Sequence, residues 1–207
     1  MKDESADGAS PTHEGIESDL PESDGQSSFR NHFLIALPTL AGDFFASTVT
    51  YLLEHNSKGA FGLVINKPLQ LVLCDLFGTD EYEGLQNTRI PVLDGGPVRR
   101  DSVFFLHDSG VEYQFTQQIS PEISLTTSED LVVSLAKGQG PARVITAMGY
   151  AGWDSGQLER ELAENVWLLA PASAEIIFDT PFEQRAQRAA ALLGIDLNLV
   201  SGSAGHG

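Results

Sequence analysis

Thr48-Val49-Thr50-Tyr51-Leu52-Leu53-Glu54-His55-Asn56-Ser57-Lys58-Gly59-Ala60-Phe61-Gly62-Leu63-Val64-Ile65 is the stretch whose reading decides the fold. Two runs of β-branched, aromatic and aliphatic residues, 48–53 and 61–65, flank Asn56-Ser57-Lys58-Gly59, whose small and polar residues suit a reversing turn. A β-hairpin is predicted. Upstream, Phe33-Leu34-Ile35-Ala36-Leu37, ended by Pro38, has the pattern of a buried strand, and the domain starts there. Downstream, Leu69, Val72, Leu73 and Leu76 recur at the spacing of one helical face that Gly78 can close, with Cys74 at its edge.

Further strands are predicted at 90–93, 102–106, 113–116 and 122–126. The chain then alternates: a helix over 128–137, a strand over 143–148, a helix over 155–164, and strands over 166–169 and 175–178. Thr180-Pro181-Phe182-Glu183 reads as a capping box with proline at the first helical position, opening a helix that Gly194 ends. Hairpins followed by alternation predict a single α+β domain over residues 29–207, with a mixed, largely antiparallel sheet covered by helices. The pattern is not a clean series of βαβ units, so no doubly wound nucleotide fold is expected.

Composition limits the function. The chain has 207 residues, 42% of them hydrophobic, and a mean hydropathy of -0.08, enough apolar material for one core. Its net charge is -17, and residues 1–28 contribute eight acids against Lys2 alone. That leader has too little apolar surface to offset ordering entropy and is expected to be disordered. The remainder carries -10. Affinity for nucleic acid rests on phosphate neutralisation, so direct nucleic-acid binding and binding to anionic membranes are both disfavoured. One cysteine, no signal-peptide pattern and no long apolar run point to a cytoplasmic protein without disulfides or membrane spans.

The strong catalytic motifs are missing. The chain has neither a phosphate-cradling Gly-x-x-x-x-Gly-Lys-Ser/Thr loop nor a Gly-x-Ser-x-Gly elbow. Its five histidines, His13, His32, His55, His107 and His206, are scattered, and one cysteine cannot build a thiolate cluster, so neither a metal nor a cofactor is expected. Asp75 opposes thiolate formation at Cys74, which reads as a packing residue.

Three segments carry the candidate pocket. The strand 61–65 delivers Asn66 and Lys67 to its end. Gly95 and Gly96, followed by Pro97, permit close backbone approach. Gly149-Tyr150-Ala151-Gly152-Trp153-Asp154-Ser155-Gly156-Gln157 reads as a glycine-rich connection into a helix, where Asp154 caps and Gln157 returns a bond. Plain turns and a structural cap, with Trp153 in the core, explain these residues equally well. His107 is the one histidine considered for acid/base work, and it lacks an identifiable partner.

Together these segments resemble the AlgH/YqgE family of bacterial proteins. The match runs through Glu54-His55-Asn56, residues 62–68, residues 95–98 and residues 149–159, then Glu161, Asn165, Trp167, Gly194-Ile195-Asp196 and Gly205-His206 in the same order. Ala186 and Gly207 depart from it. The resemblance implies a compact domain with a layered or partly barrelled sheet and the label of transcriptional regulator, without transferable catalytic residues. Two functions are therefore expected in competition. One is a non-enzymatic regulatory or binding protein acting indirectly through protein contacts. The other is a small-molecule site or enzyme, formed if Asn66, Lys67, Gly95, Gly96, His107 and Trp153 converge.

Overall fold

The computed structural model describes residues 28–37, 40, 42–78 and 82–201. The leader, but for Ser28, lies outside the described residues, as do Pro38, Gly205, His206 and Gly207. Strand β1 (His32–Ala36) is antiparallel to both neighbours, the edge strand β10 (Trp167–Pro171) and β2 (Val49–Asn56). Phe33 and Ile35 enter one core cluster, while Leu34 and Ala36 enter another. Burial of both faces explains why this strand reads as a continuous apolar run rather than an alternation.

The predicted hairpin forms between β2 and β3 (Gly59–Val64), with Asn56 opposite Gly59 and Ser57-Lys58 as the turn. From β3 the sheet continues antiparallel through β9 (Val144–Asp154), β6 (Val98–Asp108), β8 (Ile123–Thr126) and β7 (Thr116–Gln118). Strand β5 (Pro91–Asp94) joins β9 in parallel, and β4 (Pro68–Val72) edges β5. The ten strands form one sheet that curls into a half-barrel, within a single α+β domain. Near the gap, Arg30 donates through Nη2 to the Gln118 carbonyl, tying the approach to β1 to β7.

Three cores follow from the curl. Helices α4 (Ala174–Phe178) and α5 (Phe182–Ala191) place Ile176, Ile177, Ala189 and Ala190 against Phe33, Tyr51 and Leu63. On the second face, α3 (Gln157–Ala163) packs Leu158 with Leu34, Leu52, Trp153 and Trp167. Under α1 (Leu73–Leu76) and α2 (Asp130–Ala136), Leu73, Phe105 and Leu131 form a third cluster, with Cys74 packed at its margin. A last helix, α6, spans Leu197–Ser201.

The structure corrects several local expectations. The helix predicted over 69–76 is strand β4 up to Val72, and only Leu73–Leu76 is helical. Pro68 opposite Leu93 and Val72 opposite Pro91 make an edge pairing in which a missing proline N–H is tolerated. Residues 113–115 are not a strand; β7 begins at Thr116, because side-chain hydrogen bonds hold the preceding residues in a turn. Residues 175–178 are the helix α4. Pairing to β1 stops at Ala172, whose N–H donates to Asn31 O, and Ile176 and Ile177 reach the core from a helix instead. The predicted capping box also fails to form: the Thr180 hydroxyl donates to Glu175 O, closing α4, and Pro181 precedes α5 in extended conformation.

The largest correction concerns residues 149–154, read as a loop but folded as the second half of β9. Residues 144–148 pair with β5 and β6, whereas 151–154 pair with β3. Gly149 stands at the junction with φ +70, and a Cβ there would lie 2.4 Å from Gly96 O. One glycine thus lets a single strand serve both halves of the curled sheet.

Candidate functional site

The end of β3 is a tether. Asn66 Oδ1 accepts the Val49 N–H at 2.9 Å, and its Nδ2 donates to Ser47 O at 2.9 Å. Lys67 Nζ donates to Phe44 O at 2.8 Å and sits 3.9 Å over the Phe44 ring. Both polar side chains therefore hold the segment 44–49 against the sheet, which seats Phe45 on Trp153 and Trp167 with centroids 6.2 and 5.4 Å away.

Gly95 and Gly96 use their close backbone approach within the protein. Gly95 N–H donates to Met148 O at 2.8 Å, and its carbonyl accepts Val64 N–H at 2.9 Å, so this residue stitches β3 to β9. A Cβ on Gly96 would lie 2.0 Å from the Tyr150 carbonyl carbon. Pro97 is exposed beside them. The Tyr150 ring packs with Phe61 and Phe104 at 4.8 and 6.1 Å. Gly152 is exposed on β9, and Gly156, at φ +70, precedes α3.

Trp153 and Gln157 meet at a carboxylate. Glu161 Oε2 accepts the indole N–H groups of Trp153 at 2.9 Å and Trp167 at 2.8 Å, and Oε1 accepts from Gln157 Nε2 at 2.8 Å. Gln157 Oε1 accepts Asp154 N–H at 3.0 Å, so the predicted return bond exists, but Asp154 does not cap the helix: it ends β9, and Gly156 holds the N-cap position with no side-chain cap bond. Beside this cage, Phe29 N–H donates to His55 Nδ1 at 3.0 Å, which leaves the proton of the neutral ring on Nε2 for Glu159 Oε1 at 3.1 Å. Charge-assisted bonds of this kind are about twice as strong as neutral ones, and here they fix α3 to the sheet.

His107 is fully buried and ends a directed chain. Its Nδ1 donates to Asp108 O at 2.9 Å, so the neutral Nε2 accepts from Thr126 Oγ1 at 2.9 Å. Thr126 in turn accepts from Thr116 Oγ1 at 2.7 Å, and Thr116 accepts Tyr113 N–H at 2.9 Å. Burial lowers the imidazole pKa below its ordinary value, with the Asp108 carbonyl and carboxylate opposing in smaller measure.

The predicted set thus divides. Asn66 and Lys67 join Trp153 and Gln157 indirectly, through Phe45; Gly95 and Gly96 join Tyr150; His107 bonds to none of the others. An open groove of about 190 Å³ borders Trp153, between Glu54, Lys58 and Phe61. Among the described residues no group of three or more His, Cys, Asp or Glu is arranged to hold a metal, and no helix is long and apolar enough to cross a membrane. Sequence reasoning assigned no role to Glu161, His55 or Phe115. The Gln157 to Glu161 spacing on one helix face was the available signal for the first. The other two are placed by hydrogen-bond partners distant in the chain, which leave no local pattern.

Residues 33–198 match a family model described as AlgH-like. The chain belongs to the AlgH-like family. It is 46% identical over 180 residues to the UPF0301 protein AlgH of Pseudomonas aeruginosa, covering 86% of this chain and 95% of that one. The UPF0301 protein of Nitrosococcus oceani is 43% identical over 180 residues, covering 86% and 96%. The solution structure of P. aeruginosa AlgH superimposes with a TM-score of 0.72 at 43% identity, over 91% of this chain and 100% of that chain. A Corynebacterium diphtheriae protein shares the fold at 17% identity, with a TM-score of 0.60 over 81% and 89%. The AlgH-like domain therefore has the partly barrelled sheet that the resemblance implied.

Proposed function

We propose that this AlgH-like protein is a non-enzymatic binding protein that regulates through contact with another protein. The observation that carries the reading is Phe115, 80% exposed in the turn just before edge strand β7, with φ +54. A bulky residue is rarely held in this left-handed region unless its surroundings impose it. Here Gln114 N–H donates to Asp130 Oδ2 at 2.9 Å, Ser128 Oγ donates to Gln114 O, and Tyr113 N–H is fixed by Thr116. A rigid, solvent-facing aromatic next to a sheet edge suits the anchor of a protein interface.

The surroundings suggest the partner's chemistry. Residues 101–136 hold six acids and neither lysine nor arginine, with Arg30 reaching only the far end of β7 at Gln118, so a partner segment bearing cationic side chains complements both the ring face and the field. The same charge opposes nucleic acid. The reading places the protein in the cytoplasm and regulation, if transcriptional, at one remove from DNA.

The test is affinity capture from the native cell with the wild type and Phe115→Asn, followed by titration of the purified partner. Asn tolerates the left-handed turn, so the variant keeps the fold. At least tenfold weaker binding by Phe115→Asn is expected. A partner bound equally by both, or tight sequence-specific DNA binding at physiological salt, overturns the proposal.

A further inference from the structure

A second groove, of about 600 Å³, has a different character. It lies where the segment leading into β5, the end of α2, the entry to β9 and the end of α4 come together, and two arginines line it, Arg89 and Arg143. In a chain with 29 acids and 12 bases, two arginines lining one groove are unexpected on composition alone. Its apolar wall includes Ile90, Val144 and Phe178, all partly buried.

We propose that this groove binds a small amphipathic organic anion, its acidic head between Arg89 and Arg143 and its apolar body on Ile90, Val144 and Phe178. The volume falls in the usual range for ligand sites, about 300 to 1,000 Å³, and apolar walls with a few placed polar groups are their usual chemistry. Arg143 is pre-positioned. Its backbone N–H donates to Asp108 Oδ1 at 2.8 Å, and its guanidinium lies 5.0 Å over the Phe178 ring while Nη1 donates to Asp179 at 3.2 Å. A guanidinium has five N–H donors, so this side-chain bond leaves others for a carboxylate or sulfonate.

Asp179 sets the selectivity. The Arg143–Asp179 pair is half exposed and weakly held, so an incoming anion competes with the carboxylate for the same guanidinium. Arg89 is exposed at the groove and can close over the bound head. The protein's net negative charge slows anions at a distance, but beyond roughly 10 Å that field is screened at 0.1 M salt, while the contact pairs act at close range.

The experiment is fluorescence titration of the full chain with 8-anilinonaphthalene-1-sulfonate, displaced by decanoate. Saturable one-to-one binding is expected, weakened at least tenfold in Arg89→Gln with Arg143→Gln, and tightened severalfold in Asp179→Asn. Arg89→Gln alone, at an exposed position, is expected to weaken binding at least threefold in a folded protein. Phe115→Asn is expected to leave the titration unchanged, which separates this site from the protein-docking surface. No saturable binding, equal binding by the arginine variants, weaker binding by Asp179→Asn, or loss of the signal in Phe115→Asn overturns the proposal.

Discussion

Trp153 and Trp167 donate their indole hydrogens to the same oxygen of Glu161, and their rings meet edge to face at 6.0 Å. One tryptophan comes from the end of β9 and the other from the start of β10, so a single carboxylate on α3 clamps two strands that are not neighbours in the sheet. Phe45, seated on both rings, extends the clamp to the segment that Asn66 and Lys67 hold.

Removing that acceptor should be costly. Glu161→Leu leaves two indole N–H groups without their partner and is expected to destabilise the fold by about 3 kcal/mol, since hydrogen bonds to a charged group are worth roughly 1.5 to 3 kcal/mol each and do not add fully. The chain contains only these two tryptophans, so their emission reports on the cage alone. A urea melt followed by that emission, unchanged in midpoint, would contradict the clamp.

Glycines in the same strand should differ sharply. Gly149→Val meets both a positive φ and Gly96 O at 2.4 Å, whereas a Cβ on exposed Gly152 meets only the Tyr150 ring edge at 3.3 Å. Gly149→Val is expected to cost about 3 kcal/mol or more, and Gly152→Val within about 0.5 kcal/mol of the parent. Equal melting temperatures for the two variants would refute the role of Gly149 as the bend of β9.

Stability should fall in mild acid through His107. Its folded pKa lies below the ordinary value of about 6.5, so the unfolded chain binds the proton more readily. The contribution is therefore complete above pH of about 6.5 and is lost as pH drops towards the folded pKa. Protonation also removes the acceptor for Thr126, loosening the chain that ends at Tyr113. His107→Gln should flatten this part of the profile. Parallel profiles for variant and parent, measured by denaturation between pH 7 and pH 5, would rule the residue out.

Arg185 joins α5 to the rest of the core through hydrogen bonds to backbone carbonyls, with the Glu183 carboxylate acting on it through its charge. Its Nε donates to Thr180 O at 2.9 Å and its Nη1 to Ile65 O, while burial pushes its pKa down to about 10. Arg185→Met leaves both carbonyls unpaired in a buried site and is expected to cost about 2 to 4 kcal/mol. Lysine, with a single ammonium, should recover less than half. Full recovery by lysine in chemical denaturation would show that charge, rather than the forked geometry, is what matters.

By itself the sequence determined the elements whose signal is local. The two-residue turn after Asn56 is chemically marked, the run 33–37 needs burial on both faces wherever it lies, and Gln157 returns its bond to Asp154 three residues back. The family pattern then indicated how these pieces close into a curled sheet. Only the tertiary structure decided that residues 149–154 extend a strand, that 175–178 coil into a helix, and that Glu161 collects both tryptophans. Those outcomes depend on which backbone partners remain available once β1, β3 and β9 are paired, and hydrogen-bond partners far apart in the chain leave no periodicity to read. The turn presenting Phe115 and the groove between Arg89 and Arg143 arise the same way, from contacts that exist only after the sheet has curled.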